Sequence, residues 1–175
     1  MTAPDPFCVT LSERDLHTAK QAASFRSLFA RATGVGNQQR DDRSGESLDY
    51  LGLRAEIAVA KIFNADYDPN SRGIDNGVDM WIGGVGVDVK ATFHQNGRLL
   101  FKSLDAFRAR IAILATAGAA ENVVNVIGCI SKETFAKKCS EFDVGKGIGY
   151  AVEQNDLEPL NALWDFTTRK SLKGE

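Results

Sequence analysis

Residues 78–90, Val-Asp-Met-Trp-Ile-Gly-Gly-Val-Gly-Val-Asp-Val-Lys, constrain this chain more than any other stretch. Gly83-Gly84 divides two β-prone runs, and glycine tolerates the positive φ that a two-residue hairpin turn demands. With that turn, Ile82 faces Val85, Trp81 faces Gly86, Met80 faces Val87 and Asp79 faces Asp88. Directly opposed residues project to one side with Cβ atoms about 4.5–5.5 Å apart. Strand alternation adds Lys90 to the side that carries Asp88. Val78, Met80, Ile82, Val85, Val87 and Val89 make the opposite, core-facing side.

Two carboxylates opposed across a ladder repel each other, so a compensating charge or a proton is required. One arrangement places a hard divalent cation between them, with oxygen ligands and water completing its shell. Another lets Lys90 neutralise the pair as an ordinary surface ion pair, and a longer turn would change the register altogether. Upstream, residues 47–64 read as a helix with Leu48, Leu51, Ala55, Ala58, Val59, Ile62 and Phe63 on one arc. Glu56 borders that arc, where an acid must either reach water or meet a partner.

The order of Glu56 on a helix, Asp79 leading into a strand and Asp88-Val89-Lys90 on the next strand resembles the PD-(D/E)XK nuclease superfamily. The glycine-containing approach from Gly73 to Asp79 and the continuation Ala91-Thr92 are similar to its Holliday-junction-resolvase and restriction-enzyme branches. Val78 stands where the name has proline, and Asp88 where many members have glutamate. The resemblance covers roughly residues 47–130. It implies an α/β fold with a restriction-endonuclease-like α-β-β-β-α-β core and a mixed central sheet, here with an extra N-terminal helix and C-terminal additions. It also implies a divalent-metal-dependent endonuclease acting on DNA, with RNA as the less expected substrate. Asp79, Asp88, the backbone carbonyl of Val89 and Glu56 would bind Mg²⁺ or Mn²⁺, and Lys90 would orient or activate the attacking water. Cutting both strands of a duplex or junction calls for two active sites, hence a homodimer. A nuclease-like domain that binds nucleic acid or protein without cutting is the alternative, and a protein partner could supply the recognition that the chain lacks.

The net charge of −2 opposes a broad basic field, which phosphate-binding proteins usually display. Basic residues nevertheless flank the proposed centre: Arg40, Arg43, Arg72, Arg98 and Lys102 form a candidate DNA-facing rim, each alternatively a solvated surface charge. Asp75 is a supporting candidate near the site, and His94 a lesser one as ligand or proton donor. Cys8, Cys129 and Cys139 share no metal-ligand spacing and read as reduced thiols. Together with an N-terminus that lacks signal-peptide character, they suggest a cytoplasmic protein.

Along the 175 residues, the pattern predicts a single domain. An N-terminal helix and a polar loop occupy 1–46, the nuclease-like core with its additions 47–166, and a flexible tail 167–175. Residues 6–11 suggest a short strand. Ser12 followed by Asp15 caps a helix over 12–33 with Leu16, Ala19, Ala23, Leu28 and Phe29 as its apolar side. Residues 34–46 are a glycine-containing polar loop, either a substrate-gripping segment or a disordered surface loop, and 65–77 are turn-rich. Strands follow at 99–102, 111–116, 122–130 and 148–153, the second and third antiparallel across a short connection. Ser103 and Ser131 each cap a helix, the latter running to about Glu141, and 156–164 is helical around Trp164.

Overall fold

The computed structural model describes residues 2–33, 45–69, 77–143, 145 and 147–165. The 34–44 part of the polar loop, Arg40, Arg43, Arg72, Asp75 and the tail therefore lie outside the described residues.

The hairpin turn is built as the sequence requires: Gly83 and Gly84 have φ of 54° and 74°. They join β2 (Met80–Ile82) to β3 (Val85–Thr92) in the anticipated register, Met80↔Val87, Trp81↔Gly86 and Ile82↔Val85. This hairpin forms one edge of a five-stranded sheet in the order β1-β6-β5-β3-β2. β5 (Ile111–Ala117) runs parallel to β3, whereas β6 (Val123–Ser131) is antiparallel to β5, and β1 (Phe7–Thr10) is antiparallel to β6. The sheet is thus mixed, and the protein is α/β.

Two helices pack on one face of this sheet. α1 (Glu13–Thr33) opens on a reciprocal cap, in which the Asp15 amide donates to Ser12 Oγ and the Ser12 amide donates to Asp15 Oδ2. α2 (Gly45–Phe63) lies between α1 and the sheet, so it buries more than a single arc. Leu51, Ala55, Ala58 and Val59 are buried as the periodicity anticipates, but so are Leu53, Ile57 and Ala60 on the remaining faces. The apolar side assigned to α1 holds only in its first half. Ala19, Ala22 and Ala23 are buried, but Leu28 and Phe29 are 63% and 51% exposed. Ser24 already reaches Glu46 in the first turn of α2, so residues beyond it project past the start of that helix.

The other face of the sheet carries a second, three-stranded sheet in the order β4-β8-β7 (Leu99–Phe101, Ile148–Val152 and Ser140–Asp143), together with α3 (Lys132–Lys138). Here the anticipated arrangement needs correction. The strand over 99–102 occurs at its place in the chain, but β4 pairs with β8 instead of extending the central sheet. The capped helix after Ser103 is a single 3₁₀ turn, Leu104–Ala106, with Ser103 Oγ accepting from the Ala106 amide. The helix capped by Ser131 stops at Lys138, because the chain enters β7 at Ser140 and pairs with β8. The segment over 93–110 is therefore the crossover that parallel pairing of β3 and β5 requires. Residues 160–165 are helical, after a 3₁₀ turn at Gln154–Asp156.

Each face of the central sheet has its own apolar cluster. Alternation along β3 sends Val87 and Val89 to the helices, and the two buried clusters are separated by the sheet itself. Cys129 is buried, Cys139 half-buried and Cys8 exposed, all as free thiols. Among the described residues no helix is long and apolar enough to cross a membrane.

Candidate functional site

The regular ladder of the hairpin ends at Met80↔Val87, one residue short of Asp79. The Asp79 amide instead donates to the Val87 carbonyl at 2.8 Å. Val78, assigned from sequence to one core-facing side with Met80 and Ile82, packs with the cluster on the opposite face from them, where its methyl groups approach Gly86. The physical reason is an irregular lead-in to an edge strand. With β2 paired on one side only, the chain before Met80 can shift out of alternation without breaking a second ladder. The consequence falls on Asp79. Its carboxylate Oδ2 accepts the Val89 amide of β3 at 2.6 Å, at the sheet edge between the two faces.

From that position Asp79 senses acids on two elements. Burial pushes its carboxyl up from the ordinary 3.8 to about 8, and the charges of Glu56 and Asp88 push in the same direction. The Val89 amide and Lys90 oppose the shift. Glu56 comes from α2, where it is only 7% exposed, and Asp88 from β3, where it is 2% exposed. Helix and hairpin thus bring together the set anticipated from sequence: Glu56, Asp79, Asp88 and Lys90.

Lys90 is held from two directions. Its Nζ lies 2.5 Å from Asp88 Oδ1, and 5.1 Å from the centroid of the Phe101 ring on β4. Phe101 is in turn fixed by stacking on Phe107 at 4.4 Å between centroids and by an edge contact with Phe135 at 5.2 Å. The second sheet therefore positions the lysine, while its side chain stays about 40% exposed at the surface of the site.

Two residues that sequence reasoning passed over lie against Glu56. The Tyr67 hydroxyl donates to Glu56 Oε2, and Arg26 Nη2 of α1 lies 3.8 Å from the same oxygen. Burial and then the Glu56 charge raise the Tyr67 phenol far above its ordinary value, so the hydroxyl keeps its proton and remains a donor. Tyr67 was visible as the one aromatic residue in a run of turn formers after the Glu56 helix. Arg26 carried no comparable signal, because it sits on α1, 30 positions before Glu56 (56 − 26).

Of the proposed basic rim, Arg98 and Lys102 lie in the described part. Arg98 Nε pairs with Glu153 at 2.5 Å, and its guanidinium lies 4.6 Å from the Phe142 ring centroid, so it ties the lead-in of β4 to the second sheet. Lys102 follows β4 and is exposed. His94 is exposed in the turn after β3, and its amide donates to Thr92 Oγ1.

The donor set of Asp79, Asp88, Glu56 and the Val89 carbonyl is all oxygen and rich in anionic charge, which suits Mg²⁺ or Mn²⁺ and not a soft ion. Among the described residues no three His, Cys, Asp and Glu side chains stand as a ready-formed metal cage.

No family model and no curated protein matches the chain. The functional reading therefore stands on the geometry of the site.

Proposed function

We propose that this protein is a divalent-metal-dependent nuclease that hydrolyses phosphodiester bonds, acting on DNA as an endonuclease. The observation that carries this reading is that the charges of Glu56 and Asp88 both act on the buried carboxyl of Asp79, with Lys90 paired to Asp88. Glu56 and Asp88 each meet a cationic partner, whereas the carboxyl of Asp79 is pushed up to about 8 by burial and then by the charges of these two acids.

Asp79, Asp88, the Val89 carbonyl and Glu56 would hold Mg²⁺ or Mn²⁺, which supplies a nucleophile near neutral pH and offsets negative charge developing on the phosphate. The protein's own groups do the rest. Asp79 is fixed by the Val89 amide, so one carboxylate oxygen has a set direction. Lys90, braced by Asp88 and the Phe101 ring, presents a compact positive charge at the surface of the site, where it orients the attacking water against the phosphate. Tyr67 and Arg26 hold Glu56 toward the cluster.

One observation favours a second reading, a nuclease-like domain that binds without cutting. Glu56 is already engaged by Tyr67 and Arg26, and Lys90 by Asp88. The deciding experiment is cleavage of plasmid and branched DNA by wild type and Lys90→Ala in Mg²⁺, Mn²⁺ or EDTA. Lys90→Ala leaves every acid in place. Metal-dependent cutting by wild type, reduced about 10²–10⁴-fold in the variant, is the expected result. Equal cutting by both would overturn the assignment of the site. If neither cuts DNA or RNA, the binding-only reading is correct.

A further inference from the structure

Beside the acid cluster lies a surface that the hydrolytic groups do not use. Trp81 of β2 is 64% exposed between two buried neighbours, Met80 and Ile82. Strand alternation turns its indole to the face shared by Gly86, Asp88 and Lys90. The far end of the ring lies 3.6 Å from where a Cβ would stand at Gly86, an ordinary contact distance, so the indole lies against β3 at this glycine beside the methyl groups of Val78. Gly86 and Asp88 are two residues apart, about 7 Å along a strand. An exposed aromatic plate thus adjoins the carboxylates.

A line of cations begins next to it. The Arg110 amide donates to the Gly86 carbonyl at 3.1 Å, which places the lead-in of β5 alongside the same glycine. The side chain of Arg108 packs on Gly77, two residues before Asp79, at 3.2 Å from where a Cβ would stand there. From this point a cleft of about 540 Å³ opens, lined by Arg108, Arg110 and Lys132 over an apolar floor, with Glu133 and Glu158 also on its walls. The Lys132 amide donates to the Arg110 carbonyl at 3.0 Å, which holds two of these cationic residues together.

We infer that Trp81 and the cleft of Arg108, Arg110 and Lys132 form a track for an unpaired stretch of nucleic acid, with the indole stacked on a base and the cations on phosphates. This substrate class rests on the nuclease reading for its adjacency to the cutting site. The chemistry is that of single-strand binding: an aromatic face receives any base, and a basic groove follows the backbone. Bases inside an intact duplex are stacked on each other and offer no face to an indole. The substrate is therefore a strand with unpaired nucleotides next to the scissile phosphate.

The test is made in EDTA, where the strand survives whether or not the protein is a nuclease. The chain has two tryptophans, so Trp164→Phe leaves Trp81 as the single reporter. Short oligothymidylate, oligouridylate and a duplex of equal length are titrated by tryptophan fluorescence and by anisotropy of the labelled strand. Trp81 emission should be quenched by the single strands, and the DNA and RNA arms identify which backbone is preferred. Trp81→Ala should weaken single-strand binding by about 5- to 150-fold, Trp81→Phe should restore most of it, and duplex binding should change little. Arg108→Ala and Lys132→Ala should each lower the salt dependence of single-strand binding by roughly one phosphate contact. Anisotropy of wild type against Trp81→Ala reads the same effect if Trp164→Phe fails to fold. Unquenched Trp81 emission, or equal single-strand affinity in wild type and Trp81→Ala, overturns the track. Lys90-dependent cutting beside that result would leave the nuclease reading standing. Quenching and Trp81-dependent binding without cutting in any metal would uphold the track and overturn the nuclease reading.

Discussion

Two charged residues on α2, Arg54 and Glu56, are both buried in the same helix, yet their surroundings differ in kind. Arg54 is met by groups that complement it, although its buried Nε has no hydrogen-bond partner among the described residues. Its Nη1 donates to the Glu121 carbonyl, its guanidinium lies 4.8 Å from the Tyr50 ring centroid, and the Tyr50 hydroxyl donates to Glu121 Oε1 at 2.9 Å. That network clamps α2 to the turn between β5 and β6. Glu56 has donors in Tyr67 and Arg26, but it also faces Asp79, with Asp88 beyond. A buried charge with matched partners is architecture. A buried charge set among its own kind marks a candidate functional site.

If that contrast is sound, breaking the Arg54 network should affect the fold and nothing else. Arg54→Ala removes a buried side chain and its hydrogen bond to the Glu121 carbonyl, and should cost about 2–4 kcal/mol in chemical denaturation. Mg²⁺ should raise the midpoint of this variant by as much as it raises that of wild type. A variant of unchanged stability, or one that no longer responds to Mg²⁺, would break the distinction.

The acid cluster should show itself as a pH dependence in metal-free buffer. Asp79 has an ordinary value of 3.8 and is pushed up to about 8 in the fold. Between those values the folded state holds a proton that the unfolded chain releases, so stability falls as pH rises through that window and levels off beyond it. Asp79→Asn should flatten the slope, whereas Arg54→Ala should leave it in place. Midpoints of urea denaturation across the window in EDTA give the measurement, and an equal slope in wild type and Asp79→Asn would refute the placement of Asp79.

Tyr67→Phe probes the donor on Glu56. It deletes one hydroxyl from a buried carboxylate and should cost about 1.5–3 kcal/mol without altering the packing of the ring. The change should be smaller in the Glu56→Gln background, because the charge that the hydroxyl serves is then gone. A double-mutant cycle on thermal unfolding reads the coupling, and additive effects would remove Tyr67 from the site.

Much of this was legible in the sequence because short-range physics decides it. The Gly83-Gly84 turn fixed the hairpin register, and apolar alternation set which side of β3 faces the helices. Glu56 was visible as an acid on the border of an apolar arc, although nothing local states that Tyr67 and Arg26 of α1 meet it there. What stayed hidden depends on long-range pairing. Leu99–Phe101 has the pattern of a strand, but nothing local states that its partner is β8 and not the central sheet. The break in alternation at Val78 was equally invisible, since a period-two pattern continues through it in the letters. Arg98 was legible as a charge near the site, but charge alone does not reveal that Glu153 lies opposite.

Asp88→Asn should have the smallest effect on the metal-free protein and says the most about the comparison. The substitution keeps the shape of a side chain that is 2% exposed, removes a negative charge that repels Asp79, and weakens the pair with Lys90 at 2.5 Å. The first change stabilises and the second destabilises, so the net shift should lie within about 1 kcal/mol of zero. An ion-pair network without a metal predicts the same result, and apo stability therefore does not separate the two. Divalent ions do. Mg²⁺ that binds the folded state should raise the wild-type melting temperature in a concentration-dependent way, since stabilisation grows as the logarithm of ligand over Kd. In Asp88→Asn a donor carboxylate is gone and the rise should vanish. If wild type and variant respond alike to Mg²⁺, Asp88 belongs with Arg54, as part of the architecture.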